Sequence, residues 1–166
     1  MQTNFVELIV VQQAVNIKVL EKASYVPESV DFALAAQVEL FEFINQIGKW
    51  KWWKHNHVLD KNKVLDELAD VIAFFLSFAI SFENYPLEEM DDVISDYVLA
   101  LEGFPTEYIL KNIASSINNG APQPMTLIMA EAVVLAQQSV GATWEEIEEA
   151  YLMKSETNIK RQEENY

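Results

Sequence analysis

The sequence has 166 residues, of which 26 are acidic and 11 are basic, so its formal net charge at pH 7 is −15. Such a surface repels nucleic acid and anionic lipid, so we expect neither a nucleic-acid polymer nor a membrane as a partner. Hydrophobic residues make up 51% of the chain. This composition excludes a disordered protein and predicts one domain with a substantial core over residues 1–166.

The chain contains no cysteine, which excludes disulfides and thiolate metal ligands and suits a reducing compartment. The first ten residues, MQTNFVELIV, lack the basic segment of a secretion signal, and Glu7 interrupts their apolar run. The apolar stretch 74–82 is much shorter than the ~20 residues that a membrane span needs. We therefore expect a cytoplasmic protein.

Apolar residues recur with the helical period along the chain, and no segment alternates as a strand does. A first helix is predicted over about 4–22. A second opens at Pro27, because proline is tolerated in a first turn, and ends at Gly48, a residue typical of helix C-termini. A third begins at residue 60 or 61 and continues to about residue 82.

A fourth helix is predicted over about 87–101, with an acidic exposed side, and a shorter fifth ends near residue 118. A sixth covers about 125–140. Thr143 is the predicted N-cap of the last helix, and Glu146, three residues later, completes a capping box. The predicted fold class is all-α: a bundle of about six or seven helices with the second and third at its centre.

Two acidic pairs with Glu-x-x-acid spacing lie in these central helices, Glu39/Glu42 in the second and Glu67/Asp70 in the third. Residues three apart share a helix face, so each pair presents two carboxylates to one side. Helices normally pack ~8–10 Å apart, so the four carboxylates can converge on one pocket. Like charges brought together in this way require a counterion.

A polar stripe is often simply the solvated face of a helix, and the acidic pairs allow that interpretation. Two observations favour a site. No base stands four residues after any of the four acids, where a surface acid commonly has one. The third helix is also apolar on every side over 71–80, which indicates a buried helix where an unpaired carboxylate is costly. Oxygen ligands without Cys or His indicate Mg²⁺, or Mn²⁺ as the alternative, and not zinc.

Basic residues are concentrated in two short segments, a Trp-rich connector over 49–63 and the region 154–161 near the C-terminus. Mg²⁺ usually completes its coordination shell with substrate phosphates, which such bases would neutralise on their outer side. The residues alone therefore predict metal-dependent cleavage of a nucleoside polyphosphate or another small phosphate ester.

At these residues the sequence resembles the dimeric, all-α dUTPases, within the all-α NTP pyrophosphohydrolase superfamily that includes MazG-like enzymes. The two acidic pairs match the metal site of that family. The connector WKWWK resembles its aromatic-Lys-aromatic-Trp segment, and Gln13 and Asn16 fit its first-helix Gln-x-x-Asn. The tail YLMKSETNIKRQEENY resembles its terminal motif. Four motifs in this order make the resemblance specific.

The resemblance implies Mg²⁺-dependent hydrolysis of dUTP, and of dUDP, to dUMP by a metal-bound water that a glutamate activates. It assigns the metal to Glu39, Glu42, Glu67 and Asp70, with Glu39 also orienting and deprotonating the water. The remaining assignments concern the nucleotide: Lys54, Lys154 and Arg161 for the phosphates, Asn158 for the sugar, Gln13, Asn16 and Trp52 or Trp53 for uracil, and Tyr166 as a cover over the base.

Three positions depart from the family pattern: Ala73 stands where many members have His, Ser155 where Asn is usual, and Asn165 where Gly precedes the final Tyr. Ala73 favours an alternative, a broader MazG-like or dCTPase-type nucleotide pyrophosphohydrolase, whereas the C-terminal motif favours a dUTPase. An alternative of another class is a non-catalytic helical interaction protein whose acids keep it soluble.

The resemblance also implies a homodimer. The fifth and sixth helices lack strong polar faces, so we expect their apolar residues at its interface. The alternative is that both helices cap the core. The residues concerned are Ile109, Leu110, Ile113, Leu127, Ile128, Val133, Val134 and Leu135.

Overall fold

The structure, a computed structural model, describes residues 4–55, 58–83, 86–118 and 124–164. Within these ranges it contains seven α-helices and no strand, which confirms the predicted all-α class. The expectation of one domain over residues 1–166 stays a prediction. The helices are α1 Val6–Lys22, α2 Ser29–Ile47, α3 Lys61–Phe82, α4 Leu87–Leu101, α5 Thr106–Asn118, α6 Met125–Val140 and α7 Trp144–Glu163.

The bundle is organised around α3, which packs most extensively against α2 and also against α6, α7 and α1. A helix covered on this many sides must be apolar around its circumference, and residues 71–79 are buried apart from half-buried Phe74 and Phe78. The second helix was also predicted at the centre, which is wrong. It covers one side of α3 through a buried stripe that includes Leu40 and Phe43, and its opposite side is exposed.

Local side-chain signals set the ends of these helices. The Asp60 carboxylate caps α3 by accepting from the backbone N–H groups of residues 62 and 63, at 3.1 and 3.4 Å. Gly48 ends α2 with a φ of +63°, the left-handed conformation that glycine adopts without a steric cost. The predicted capping box of α7 is present, with Thr143 and Glu146 exchanging hydrogen bonds of 2.8 and 3.3 Å.

The start of α2 differs from the prediction. Pro27 precedes the helix instead of opening it, and the first helical residue is Ser29. The reason is local hydrogen bonding, because Asp31 accepts from the backbone N–H of Glu28 at 2.8 Å and makes residue 28 the N-cap. Pro27 therefore lies in the link between α1 and α2.

Six of the eight apolar residues that were assigned to a dimer interface on α5 and α6 are buried in the core, and Leu110 and Leu127 are half-buried, so that prediction is wrong. Ile109, Val133 and Leu135 have no exposed surface, and α6 packs against α3, α4 and α5.

Among the described residues, no single helix is long and apolar enough to cross a membrane, although α6 and α7, bent by 116°, meet that test together by length and composition alone.

One carboxyl group lies within this apolar core. Glu131 of α6 has no exposed surface, and its Oε1 accepts hydrogen bonds from the Tyr97 hydroxyl, at 3.1 Å, and from the Asn112 amide. Its Oε2 has no hydrogen-bond partner in the part of the chain that the structure describes. Burial raises the pKa of Glu131 above its ordinary value, although the bonds from Asn112 and Tyr97 oppose the shift.

We predict that Glu131→Gln makes the protein relatively more stable as the pH rises. An acid whose folded-state pKa is raised contributes stability that is present below its unfolded-state value of 4.5 and is lost as the pH rises through the folded-state pKa. The glutamine cannot ionise and lacks this loss. Urea unfolding of both proteins over a pH series should therefore show a difference in unfolding free energy that grows above pH 4.5 in favour of the variant.

The control is Glu149→Gln, at an exposed position of α7. Its unfolding free energy should follow that of the wild type across the pH series. Parallel curves for Glu131→Gln and the wild type would contradict a raised pKa of Glu131 in the folded state.

Candidate active site

A cavity of about 510 Å³ lies between α1, α2, α3 and α7, within the usual size range of small-molecule sites. Apolar side chains, among them Val15 and Phe74, form part of its wall. The rest of the wall carries two groups of polar side chains. One group is ionic and comes from α2, α3 and α7, and the other consists of amides and hydroxyls from α1, α3 and α7.

The ionic group is built around three carboxylates. Glu39 of α2 and Glu67 and Asp70 of α3 each place one oxygen so that all three atoms lie within 4.8 Å of one another. The spacing of three residues on α3, together with the packing of α2 on α3, produces this arrangement. Glu42 is not a member of this cluster and is exposed, but its charge raises the pKa values of Glu39 and Glu67.

The cluster is electrostatically unfavourable without a cation. Burial and, after it, the charges of Asp70, Glu42 and Glu67 raise the pKa of Glu39 to about 7, while Lys154 opposes the shift. Burial and the neighbouring charges of Glu42 and Asp70 likewise raise the pKa of Glu67. A set of oxygen donors in mutual repulsion fits a hard divalent cation such as Mg²⁺ or Mn²⁺.

Lys154 of α7 supplies a base to the carboxylates, none of which has a base four residues after it in its own helix. Its Nζ lies 2.7 Å from an Asp70 oxygen and 3.0 Å from an Asp66 oxygen. Asp70 is therefore ion-paired. The sequence of its own helix predicts an unpaired carboxylate, because no base stands four residues after it. Burial raises the pKa of Asp70, and the hydrogen bond from Lys154 opposes this. Burial alone would lower the pKa of Lys154, but its bonds to Asp70 and Asp66 outweigh that effect and raise it.

The structure brings three predicted nucleotide-binding residues of α7 to the same cavity. Lys154, Asn158 and Arg161 follow one another at intervals of four and three residues, which places them on one helix face. All three line the cavity beside Glu39 and Asp70. A cavity that combines carboxylates with two cations suits a metal-bound phosphate chain.

The amide and hydroxyl group forms a hydrogen-bonded network. The Gln12 Nε2 donates to the Asn16 Oδ1 and to the Ser77 Oγ, both at 2.9 Å, and the Ser77 hydroxyl lies 2.7 Å from the same Asn16 oxygen. The Tyr151 hydroxyl donates to the Gln12 Oε1 at 2.8 Å and lies 3.1 Å from the Leu8 carbonyl. Except for Asn16, which is half-buried, the side chains of this network are buried.

Sequence reasoning selected Gln13 for this region, but the residue that lines the cavity is Gln12. Gln13 is half-buried and is not part of the cavity wall. A signal for Gln12 was present in the sequence. The buried positions of α1 are Leu8, Ile9, Gln12 and Val15, so the apolar period places Gln12 on the inward stripe and Gln13 beside it.

The connector residues are not brought to the cavity in the single chain. Trp52 and Trp53 are 85% and 51% exposed, and Lys54 is also exposed. The two Trp rings contact each other edge to face, with centroids 5.6 Å apart. Their assignment to the base and the phosphates stays a prediction. Tyr166, assigned as a cover over the base, lies outside the described residues.

Fold and site together define a class of protein, an all-α bundle that holds clustered carboxylates beside a cavity suited to a nucleotide. The chain belongs to the dUTPase family, because a family model described as dUTPase matches residues 4–166. It is therefore a nucleoside triphosphate pyrophosphohydrolase, a dUTP diphosphatase, with a nucleotide as its substrate. Enzymes of this family typically depend on a divalent metal, for which the carboxylate cluster is the candidate site. No curated protein matches the chain significantly.

The predicted enzyme class is thereby confirmed, and the alternative of a non-catalytic helical interaction protein is set aside.

We predict opposite effects of Glu67→Gln with and without a metal ion. In a chelator, the neutral side chain relieves repulsion in the cluster and should raise the unfolding free energy by up to about 1 kcal/mol. With excess MgCl₂, the wild type should gain thermal stability, because a ligand that binds the folded state stabilises it, and the variant should lose most of that gain. Thermal unfolding under both conditions measures the two effects.

The control is Glu89→Gln, at an exposed position of α4, which should behave as the wild type in both conditions. A Glu67→Gln protein that is destabilised in the chelator, or that keeps the full stabilisation by Mg²⁺, would show that the three carboxylates do not act together.

Proposed function

We propose that the protein hydrolyses dUTP, and also dUDP, to dUMP in a Mg²⁺-dependent reaction. The observation that carries the proposal is the meeting of two charge types in one cavity. Glu39 and Asp70 of the carboxylate cluster line it together with Lys154 and Arg161. Acids that hold a divalent ion and bases that contact phosphate oxygens are both needed for phosphoryl displacement on a polyphosphate.

The metal is assigned to Glu39, Glu67 and Asp70, with Glu42 beside them as the fourth acid. A divalent cation bound there would offset the negative charge of both the carboxylates and the phosphate chain and would polarise a phosphoryl oxygen. The carboxylates are supplied by α2 and α3, which pack against each other, so the packing of the core determines the distances between the carboxylates. The ligands are therefore already close together before substrate binds.

Glu39 is the residue that we assign to orient and deprotonate the attacking water. Of the three clustered acids, Glu39 and Asp70 line the cavity, and Asp70 is ion-paired with Lys154. No ion pair to Glu39 occurs within the described part of the chain, which leaves its carboxylate available to accept a proton. A general base must be within hydrogen-bonding reach of the water that it activates, and a water bound in the cavity beside Glu39 would be within that reach.

The nucleotide is assigned to the remaining polar residues of the cavity. Lys154 and Arg161 would bind phosphate oxygens and stabilise the charge that develops on them, with Lys54 of the connector as a third base. Asn158 lies between Lys154 and Arg161 on the same face of α7 and is assigned to the sugar. Asn16, which belongs to the amide and hydroxyl group of the cavity wall, is assigned to the base.

A second candidate function is a broader MazG-like or dCTPase-type pyrophosphohydrolase. The observation that favours it is Ala73, which lines the cavity with a small side chain where many family members carry His. A missing side chain at the wall leaves more room for a different or modified base. The two candidates share the phosphate chemistry and differ only in the selection of the base.

We predict that pyrophosphate release with Mg²⁺ is at least ~100-fold more efficient with dUTP than with dCTP or dTTP, because a site that pairs with one nucleobase leaves buried polar groups unpaired with another.

We also predict that Glu39→Gln lowers kcat on dUTP by ~10²–10⁴ with a small change in KM, since it removes the general base and keeps the shape of the side chain. A phosphate-release panel over the deoxynucleotides, with and without a chelator, measures both.

The exposed Glu149→Gln variant is the control and should retain wild-type kcat. Equal efficiency on all nucleotides would favour the broader pyrophosphohydrolase. Full activity of Glu39→Gln, or full activity in the chelator, would remove the proposed metal and base from the mechanism.

A homodimer is also part of the proposal, with α2 as its interface. An apolar stripe faces away from α3 at intervals of four, four and three residues, the spacing of one helix face. Large apolar side chains that remain half exposed in a row are typical of an interaction surface. Two-fold symmetric dimers, in which one surface patch contacts the same patch of a second copy, are the commonest soluble oligomers. The stripe consists of Val30, Leu34, Val38 and Phe41, with exposed fractions of 65, 62, 44 and 50%.

We predict that Leu34→Glu, in the middle of this stripe, converts a dimer to a monomer, because it places a charge in each half of a symmetric interface. Light scattering should give the mass of two chains for the wild type and of one chain for the variant. The control is Leu99→Glu on α4, whose side chain is 57% exposed. A wild-type monomer, or a dimer that tolerates Leu34→Glu, would place the interface elsewhere or exclude it.

A further inference from the structure

Four side chains form a continuous hydrogen-bonded path from the core to the cavity. Tyr151 of α7 has no exposed surface and contacts Gln12 of α1, which is 3% exposed. Gln12 contacts Asn16 and Ser77, and all three line the cavity. The proposed function uses only Asn16 from this path. The other three side chains are buried polar groups for which the reaction as described gives no role.

A path through two amides has a direction. Each amide donates through its nitrogen and accepts through its oxygen, so the path can run one of two ways. In this structure the Tyr151 hydroxyl donates to the Gln12 oxygen, and the Gln12 nitrogen donates to the Asn16 oxygen. In the reverse direction the Gln12 nitrogen would donate to Tyr151 and the Asn16 nitrogen would donate to Gln12. The first direction leaves Asn16 with a free donor, and the second leaves it with a free acceptor.

The observed direction is supported at both ends of the path. At the core end, the Tyr151 hydroxyl lies 2.8 Å from the Gln12 Oε1, nearer than the 3.1 Å to its other acceptor, the Leu8 carbonyl. Burial raises the pKa of this hydroxyl, while a hydrogen bond with Ser155 opposes the shift. At the other end, the Asn16 Oδ1 lies within hydrogen-bonding distance of two donors, the Gln12 amide and the Ser77 hydroxyl. The Asn16 Nδ2 is buried and has no partner among the described residues. A ligand oxygen is the partner that such a donor lacks.

We propose that Tyr151 is a positioning residue that determines base specificity: acting through Gln12, its hydroxyl holds the Asn16 amide so that a donor is left for the base. This rests on the proposed function, in which Asn16 meets the base of dUTP. Uracil carries a carbonyl oxygen at ring position 4, whereas cytosine carries an amino group there, which is a donor. An Asn16 nitrogen matches the first and leaves two donors facing each other with the second. The direction of the path therefore selects uracil over cytosine.

The test compares the kcat/KM ratio of dUTP to dCTP in Tyr151→Phe and in the wild type. Without the hydroxyl, the Gln12 amide can rotate by about 180°, so Asn16 can present either its nitrogen or its oxygen to the base. The ratio should therefore fall about 10-fold. Both substrates are measured on one preparation, so loss of folded protein cancels in the ratio. The control is Tyr97→Phe, which removes a hydroxyl hydrogen-bonded to buried Glu131 and outside the cavity wall, and should leave the ratio unchanged.

A double-mutant cycle separates action through Gln12 from a general loss of packing. Gln12→Met breaks the path while keeping the length of the side chain, and it should lower the ratio as Tyr151→Phe does. If Tyr151 acts through Gln12, the double variant should show the same ratio as Gln12→Met alone. Ser77→Ala, which removes one of the two donors near the Asn16 oxygen, provides a further variant and should lower the ratio by a smaller factor.

The outcomes are distinguishable from those for the proposed function. A wild type without preference for dUTP over dCTP would overturn the base assignment itself. A wild type that prefers dUTP, with a ratio that Tyr151→Phe leaves unchanged, would overturn this inference alone. Effects of the two substitutions that multiply in the double variant would also overturn it, since they would show that Tyr151 does not act through Gln12.

Discussion

The candidate active site depends on three carboxylates that repel one another and that the packing of the helices holds close together. Glu39, Glu67 and Asp70 have oxygens within 4.8 Å of one another, an arrangement that separated helices would relax. The apolar packing of α2 on α3 prevents this, with Leu40 and Phe43 of α2 fully buried. Transfer of two such side chains out of water contributes ~1.5–3 kcal/mol each, which is larger than the repulsion of partly solvated carboxylates. The core can therefore keep a charged cluster assembled before any cation binds.

The last helix connects this cluster to the substrate cavity. Lys154 and Arg161 lie on the face of α7 that meets α3, and Tyr151 continues the same face into the core. The start of α7 is held by a tilted ring contact between Trp144 and Phe5, with ring centroids 4.5 Å apart, and by an ion pair of 2.6 Å between Glu146 and the first residue of α3. Because the anchored end lies at the start of the helix, the position of its later residues follows from helical geometry.

Much of the fold could be predicted because its signals are local. Gly48, Asp60 and Thr143 mark helix ends through hydrogen bonds within a few residues, and the apolar circumference of α3 follows from its own composition. The acidic pairs were visible for the same reason, since a spacing of three needs only a helix. The contact of Lys154 with Asp70 could not be predicted from spacing, because it joins two helices far apart in sequence.

The errors in the prediction have a common physical origin. The apolar residues of α6 were assigned to a dimer interface, although neighbouring helices bury α6, whereas the exposed apolar stripe belongs to α2. Composition alone cannot tell which of two apolar helices is covered, because that depends on the packing of the whole bundle. Gln12 and Gln13 differ in the same way, since both are polar and only the rotation of α1 about its axis decides which one faces inward.

Two polar groups in this core, Glu131 with its donors and the path from Tyr151 to Asn16, show how buried polarity can serve different ends. Both donors of Glu131 converge on one oxygen and link α4 and α5 to α6, and the whole group lies away from the cavity wall. The Tyr151 path instead ends at the cavity with a donor that lacks a partner. Apolar residues at Tyr151 and Gln12 would fill the core without the cost of burying polar atoms. The cost of burying these polar atoms is explained if the path acts on the substrate. The direction of the hydrogen bonds, set by Tyr151 in the core, then determines which atom of Asn16 faces the base.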